Sequence, residues 1–589
     1  MKPTDIRDPE YFHKVVDCQY ACPAHTPVPE YIRLIAQEKY SEAYMINWES
    51  NVFPGVLGRT CDRPCEPACR RGRVEEEPVA ICRLKRVAAD YKGEVKQYMP
   101  QGPFPPNGKR IALIGGGPAS LTVARDLAPL GYEIHLFDEQ DFAGGFMRSQ
   151  IPSFRLPEAV LNEEVGYVLN LGVHTHFKKY VSSLKEVLNE GYDAIFVGTG
   201  APKGRDLPEL PGRWDAEKNI HIGINWLASV AFDHTHAIGK KVIVLGGGNT
   251  AMDCCRTARR LGGEEVKVIV RSPFAEMKAS PWEKEDAQHE GIPILDNHVP
   301  KSFVVEGGRL KGMTFEKVRV ERIDGKRRLI PTGDPDVFVA ADDVLVAIGQ
   351  ENSFPWIERD LGLEFDQWDM PVVDPLTFSA TLPGVFFGGD AAFGPKNVIT
   401  AVAHGHQAAI SIDLYCRKES LTTRPAPFTN LMSQKMGLHE WAYDNQVVND
   451  LRYVVPMAEQ KITLADRKAE VELGFNKIQG FKEAQRCLNC DIQTVFSSEK
   501  CIECDACMDI CPTSCITFTT DGEESDLRGR LKAPANNIEQ DLYVSNPLKT
   551  QRVMIKDENV CLHCGLCAER CPTAAWDMHK FFYKVTKAG

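Results

Sequence analysis

No stretch of this 589-residue sequence approaches the 18 or more apolar residues that a membrane-spanning helix needs. The chain is therefore expected to be soluble, with any membrane link made through a partner. A basic excess is missing too: 69 Lys and Arg against 81 Asp and Glu leave a net charge of -12, which argues against nucleic acid as a partner and specifies nothing further. Residues 1–10 are polar and contain Pro3 and Pro9, so they lack the pattern of a secretory signal. Without such a signal, twenty cysteines do not suggest a disulfide scaffold; they read as metal ligands in a reducing cytoplasm. The composition, 43% hydrophobic and 25% charged, is that of a globular protein, and its length suggests about three to five domains.

The cysteines are patterned. Cys501-x-x-Cys504-x-x-Cys507-x-x-x-Cys511-Pro512 recurs as Cys561-x-x-Cys564-x-x-Cys567-x-x-x-Cys571-Pro572. Each is the bacterial ferredoxin run, in which the fourth cysteine ligates the other run's cluster. One 4Fe-4S cluster is then expected on Cys501, Cys504, Cys507 and Cys571, and a second on Cys561, Cys564, Cys567 and Cys511. Zinc also takes C-x-x-C pairs, but it gives no reason for two three-thiolate runs each closed by Cys-Pro. Cys515 falls outside this register and reads as structural, while Cys254 and Cys255 read as small buried hydrophobes.

Two phosphate-binding fingerprints precede these runs. Arg110-Ile-Ala-Leu-Ile114 is a short apolar strand leading into Gly115-Gly-Gly117-Pro-Ala-Ser120 and a helical pattern over residues 121–130. Glycines let the turn close and bring backbone N–H groups to a pyrophosphate at the helix N-terminus. Ser120 stands where a Gly or Ala is usual. Asp138, about 20 residues on, is placed to accept ribose hydroxyls. The pattern repeats: Lys241-Val-Ile-Val-Leu245 leads into Gly246-Gly-Gly248-Asn249-Thr250-Ala251. Single glycine-rich loops are weak signals, but two such units point to two dinucleotides, one of them a flavin.

Pro383-Gly-Val-Phe-Phe-Gly388-Gly389-Asp390, before a small-residue helix over residues 398–410, resembles the closing motif of two-dinucleotide-fold flavoproteins. The resemblance implies FAD at the Gly115 site, Asp390 on its ribityl or phosphate portion, and NAD(P)H at the Gly246 unit. After the second fingerprint the strand ends in Arg271-Ser272 where NADPH-using relatives tend to have Arg-Arg. Half of a phosphate clamp, with no acid to select the 2'-hydroxyl, leans to NADH with NADPH tolerated.

At the N-terminus, Cys18-x-x-x-Cys22-Pro23 and Cys61-x-x-x-Cys65-x-x-x-Cys69, with Cys82, flank a helical pattern over residues 28–44. Together with Ala24-His-Thr-Pro-Val-Pro, Gly58-Arg-Thr-Cys61 and Pro78-Val-Ala-Ile81, these resemble the iron-sulfur domain of the glutamate synthase small-subunit family, shared with the reductase half of dihydropyrimidine dehydrogenase. The family's opening C-x-x-C is absent before Cys18; Cys487-Leu-Asn-Cys490 looks like that segment displaced beyond the reductase core. The resemblance implies one cluster on Cys22, Cys61, Cys65 and Cys82, and another on Cys18, Cys69, Cys487 and Cys490. Four clusters result, and the end of the chain must fold back onto its beginning. The alternative makes Cys487 and Cys490 spectators beside one N-terminal cluster. Runs such as Tyr11-Phe-His-Lys-Val-Val-Asp-Cys18 further resemble the iron-sulfur flavoproteins that serve dissimilatory sulfite reductase in sulfur oxidation, which implies that enzyme or another electron-transfer protein as partner.

The expected class is α/β, with a helical N-terminal iron-sulfur domain (1–104) and two nested Rossmann-like dinucleotide-binding domains. Those are an FAD domain (105–205 and 343–420) and an NAD(P) domain (206–342). A helical linker (421–486), read as a brace or a homodimer arm, leads to a bicluster ferredoxin domain (487–589). The expected activity is NAD(P)H:acceptor oxidoreduction. Glutamate synthase small subunit, NAD(P)H:ferredoxin oxidoreductase, and an electron wire with vestigial nucleotide sites are the alternatives; intact Gly246, Gly248 and Ala251 argue against the last. Hydride transfer requires no acid–base residue, and Glu283 and Lys396, which could lie near the flavin, read more simply as ordinary charges.

Overall fold

The computed structural model describes residues 2–75, 77–324, 326–434, 448–520, 527–529 and 540–589. Two compact units form. One gathers Met1–Met99, Thr423–Val455 and Gly474–Lys587; the other gathers Pro100–Thr422, Pro456–Leu473 and Ala588–Gly589.

The second unit is built on two parallel five-stranded sheets. In the first, the strands run Val385–Phe387, Ala194–Val197, Arg110–Ile114, Glu133–Phe137, His174–His176. Ile111, Ala112 and Leu113 on its central strand are fully buried, as both-face coverage of a parallel sheet requires. In the second, the order is Ile220–Ile222, Asp343–Val346, Lys241–Leu245, Glu265–Ile269, Ile294–Leu295. Asp343–Val346 was expected to reopen the flavin domain. Instead it pairs with Ile220–Ile222 on one side and Lys241–Leu245 on the other, because its buried apolar residues complete the nicotinamide sheet. An antiparallel sheet of His298–Glu306, Arg309–Ile323, Lys326–Pro331 and Val337–Ala340 follows the nicotinamide fingerprint. Its Phe303, Met313 and Phe315 pack on Ile243 and Leu245.

The first unit joins sequence-distant pieces. Short helices, among them Val28–Ala36, Tyr40–Asn51 and Ile81–Tyr91, make up its N-terminal part. The helix expected over residues 28–44 is broken between Ala36 and Tyr40, where Glu38 adopts a left-handed φ of 59°. Against these helices lies the segment after residue 474. Arg71 Nη1 donates to the Arg486 carbonyl at 3.0 Å, the Ala80 N–H to Glu483 at 2.8 Å, and Gln493 to the Phe12 carbonyl at 3.2 Å.

Among its described residues, the stretch expected as a helical linker is mostly not helical. Among those described residues only Gln460–Ala465 and Lys477–Ala484 are helices, Pro456–Leu473 belongs to the nucleotide unit, and Phe428–Gln434 is a strand on Trp576–Lys584. Ile492–Phe496 takes the other edge of Trp576–Lys584, so a long C-terminal strand with two open edges has recruited both neighbours. Residues 435–447 of that linker, and 521–526 and 530–539 of the insertion between the ferredoxin runs, lie outside the described residues. Among the described residues no helix is long and apolar enough to cross a membrane.

Candidate cofactor sites

The structure brings the thiols of Cys18, Cys69, Cys487 and Cys490 near one another, and those of Cys22, Cys61, Cys65 and Cys82 around Lys85. Burial pushes the Cys18 thiol up, and the neighbouring thiols of Cys69, Cys490 and Cys487 push it further. Burial likewise raises Cys487, to about 12, with Cys69 close by. Cys61 and Cys65 both hydrogen-bond to Cys82, whose thiol is held well below its ordinary value by them and by Lys85. Lys85 is fully buried and bonds to Asn51 at 2.7 Å. Burial opposes its charge, but the facing sulfurs of Cys82, Cys61, Cys22 and Cys65 keep it protonated. A buried ammonium among four thiols suits a group that carries thiolate charge.

In the C-terminal runs, Cys501 has Cys571 and Cys504 beside it, and Cys507 has Cys501 and Cys571. Cys564 has Cys561 and Cys511. Cys515, read as structural, is buried, with Sγ 3.5 Å from Cys511 Sγ. Hydrogen bonding from Cys515 holds the thiols of Cys511 and Cys561 down at about 5.

One turn recurs around these sulfurs. Two residues after Cys61, Cys501 and Cys561, a backbone N–H donates back to Sγ, at 3.4, 3.3 and 3.4 Å, from Arg63, Glu503 and His563. All three donors sit at positive φ, 57°, 58° and 53°. Asn489, two residues after Cys487, repeats it with φ 51° and a backbone bond to the thiol. Side-chain-bearing residues avoid that region at a cost of roughly 1–2 kcal/mol, so its repetition at all four places shows backbones shaped around acceptor sulfurs. The Cys487–Cys490 loop thus has the shape of a ligand loop.

The first glycine turn is equally tight. Gly115 has φ 93°, and a Cβ there would meet the Gly198 carbonyl at 2.7 Å. The Gly116 N–H donates to Asp138 Oδ2 at 2.6 Å and the Gln140 N–H to Oδ1 at 2.8 Å. Burial raises the Asp138 carboxyl above its usual range. Each carboxylate oxygen keeps a second acceptor site for a ribose hydroxyl. Ser120 Oγ and Thr199 Oγ1 are buried beside this turn without partners among the described residues, the kind of orphaned hydroxyl a pyrophosphate would satisfy. Gly389, at φ 62°, would bring a Cβ within 3.2 Å of Ala119, so the Gly388–Asp390 motif converges on the helix that starts at Pro118. Asp390 Oδ1 accepts the Lys396 N–H at 2.9 Å, and the Lys396 side chain is exposed.

The second turn, Gly246 at φ 137°, lies against the Ala347 carbonyl, 2.1 Å from where a Cβ would stand. Gly248, the N-cap of the helix Asn249–Arg260, has nothing within 4 Å of its Cβ position: it borders open space at a helix N-terminus. Asn249 Oδ1 accepts the Ser280 N–H at 2.8 Å, Thr250 is half-buried and Ala251 is fully buried. Arg271 is exposed past the strand end, with Ser272 beside it. Glu283 is committed elsewhere, in a buried ion-pair network with Arg155 and Arg256.

Known proteins agree with this arrangement. The pyridine nucleotide-disulphide oxidoreductase family matches residues 109–405, the dihydropyrimidine dehydrogenase domain II, 4Fe-4S cluster family residues 13–97, and the 4Fe-4S dicluster domain residues 500–575. The glutamate synthase [NADPH] small chain of Azospirillum brasilense is 30% identical over 68% of this chain and 87% of its own. The chain belongs to the glutamate synthase small-chain-like family of iron-sulfur flavoproteins. Two further relatives are the NADP(+)-dependent formate dehydrogenase subunit beta of Moorella thermoacetica, 35% identical over 80% of this chain and 70% of its own, and the NADPH-Fe(3+) oxidoreductase subunit beta of Geobacter sulfurreducens, 31% identical over 83% and 77%.

Membership makes this flavoprotein an NAD(P)H oxidoreductase with FAD and with 4Fe-4S clusters at both ends. The residues present fit those groups: four thiol sets, two glycine turns and orphaned hydroxyls. Sequence reasoning passed over Thr199, Lys85 and Arg70. Thr199 had a signal, the Gly198-Thr199-Gly200 run after a buried strand; the others had none.

Proposed function

We propose that this flavoprotein exchanges electrons between NAD(P)H and a partner protein, through FAD and four 4Fe-4S clusters on the cysteine sets above. The recurrent N–H-to-sulfur turn, present at Cys487 as well as in the ferredoxin runs, carries the four-cluster reading. Flavin bound at the Gly115 turn converts a two-electron hydride into single electrons that clusters can carry. The chain's own groups do the positioning. The open space at Gly248 and the N-terminus of Asn249–Arg260 would receive the nicotinamide pyrophosphate, and Gly389, close to Ala119, would help hold the flavin. Burial of Cys18, Cys22, Cys61, Cys65, Cys82, Cys487 and Cys490 keeps water from those sulfurs, whereas Cys504 and Cys564 are exposed.

The relatives named for NADPH favour NADPH alongside NADH as donor, with Arg271 supplying one cation to a 2'-phosphate. The relatives named as beta subunits favour a partner subunit as acceptor or donor. We propose dissimilatory sulfite reductase as that partner, on the resemblance of the Tyr11–Cys18 and Cys61–Cys65 runs. An anaerobic assay of the full chain with NADPH and purified sulfite reductase is expected to show electron exchange. Exchange with the large chain of glutamate synthase and none with sulfite reductase would overturn the choice of partner.

A further inference from the structure

Arg70 follows Cys69 directly in the sequence, and its guanidinium is almost completely buried. Nε bonds to the carboxylate of Asp17, the residue before Cys18. Nη2 donates to the Val15 carbonyl at 2.9 Å. Nη1 crosses to the ferredoxin run, donating to the Cys561 carbonyl at 2.6 Å and the Glu558 carbonyl at 2.5 Å. One planar side chain therefore touches residues adjoining Cys18 and the backbone of Cys561 itself.

A second link runs parallel. His563 donates its backbone N–H to Cys561 Sγ at 3.4 Å, and its Nδ1 lies 3.2 Å from the carbonyl of Ile492, two residues past Cys490. A carbonyl oxygen can only accept, so Nδ1–H is the donor in this contact. The Cys18, Cys69, Cys487 and Cys490 set and the Cys561 set thus share two bonded bridges, both inside one compact unit.

We propose that Arg70 and His563 are the junction through which single electrons pass between the N-terminal clusters and the ferredoxin domain, with the Cys561 set as the inner cluster and the Cys501 set beyond it. The inference rests on the four-cluster reading. No bond is made or broken in the step: the set at Cys18 to Cys490 is oxidised by one electron as the Cys561 set is reduced by one, or the reverse, and NAD(P)H is the ultimate reductant or product. Two features suit Arg70 to this task. Its hydrogen bonds make a continuous packed path where a gap would slow transfer. Its charge, buried where solvent screens little, also stabilises an added electron on the Cys561 side. Arg70 is a positioning residue, because it ligates neither cluster.

The test compares Arg70→Gln and Arg70→Lys in the full chain, each assayed first for iron. In a mediator-poised redox titration followed by electron paramagnetic resonance, Arg70→Gln is expected to lower the potential of one C-terminal cluster, and Arg70→Lys to restore it. After rapid mixing with NADPH, reduction of the C-terminal clusters should slow by about an order of magnitude in Arg70→Gln. An iron-replete Arg70→Gln protein with unchanged potentials and unchanged rate would overturn the proposal. If that variant loses iron, the wild-type chain decides: magnetic coupling between one reduced N-terminal and one reduced C-terminal cluster supports the junction, and its absence overturns it. The potentials are measured without NAD(P)H, so they judge the junction even if another donor is the physiological one.

Discussion

Arg33 and Asp491 form a buried two-point ion pair, with Nη1 at 2.7 Å from Oδ1 and Nη2 at 2.5 Å from Oδ2, although 458 residues separate them in sequence. Glu30 shares the same guanidinium. Because Asp491 follows Cys490, this pair fixes the displaced C-x-x-C loop onto the N-terminal helices. Asp491→Ala leaves Arg33 half-compensated in the interior, and a loss of about 3 kcal/mol of stability is expected. Denaturant unfolding measures the stability. Iron content should fall with it, and a variant of wild-type stability and full iron would show that the pair does not hold the loop.

The double variant Cys487→Ser/Cys490→Ser addresses the loop directly. About 16 iron and 16 sulfide atoms per chain are expected for the native protein, and about 12 of each for the variant. Anaerobic iron and sulfide analysis distinguishes these values. Unchanged iron would make both cysteines spectators.

Gly248→Val is expected to abolish reduction by NAD(P)H while FAD stays bound. Its Cβ position meets nothing of the protein, so the added bulk confronts only the nicotinamide pyrophosphate. Loss of FAD from the purified variant would mean that the two fingerprints are assigned the wrong way round.

Ser272→Arg should complete a two-cation clamp beside Arg271 and improve NADPH relative to NADH. The expected gain is about 1 to 2 kcal/mol, the scale of one charge-assisted contact. Ratios of kcat/KM for the two donors report it. An unchanged ratio would place Arg271 away from the 2' position.

What could be read ahead of the structure was what neighbouring residues encode. The ferredoxin runs and both glycine turns are local patterns, written in a dozen residues or fewer, and their chemistry follows from spacing. Arg70 is different: within Cys69-Arg-Arg-Gly-Arg it looks like any surface cation, and its bonding partners lie 53 to 491 residues away. Lys85 is likewise an ordinary helix residue until four thiols face it. Asp343–Val346 carried a strand signal but no mark of which sheet it would join, since a short apolar run suits either. Cys515, read as structural because it follows Cys511 too late for the ferredoxin register, is buried; its counterpart in the second run is Ala575, whose N–H meets Cys571 Sγ at 3.2 Å as the Cys515 N–H meets Cys511 Sγ at 3.3 Å.

The union of residues 1–99 with the segment after 474 also sets an order of assembly. On a ribosome adding about 5–20 residues per second, Cys18 and Cys69 emerge some tens of seconds before Cys487 and Cys490 exist. The proposed set of Cys22, Cys61, Cys65 and Cys82 is complete within the first stretch of nascent chain, whereas its proposed neighbour begins as half a site facing the solvent. On the proposed ligand sets, that half cannot be completed until Cys490 has emerged, and oxygen or a chaperone can reach its sulfurs in the interval.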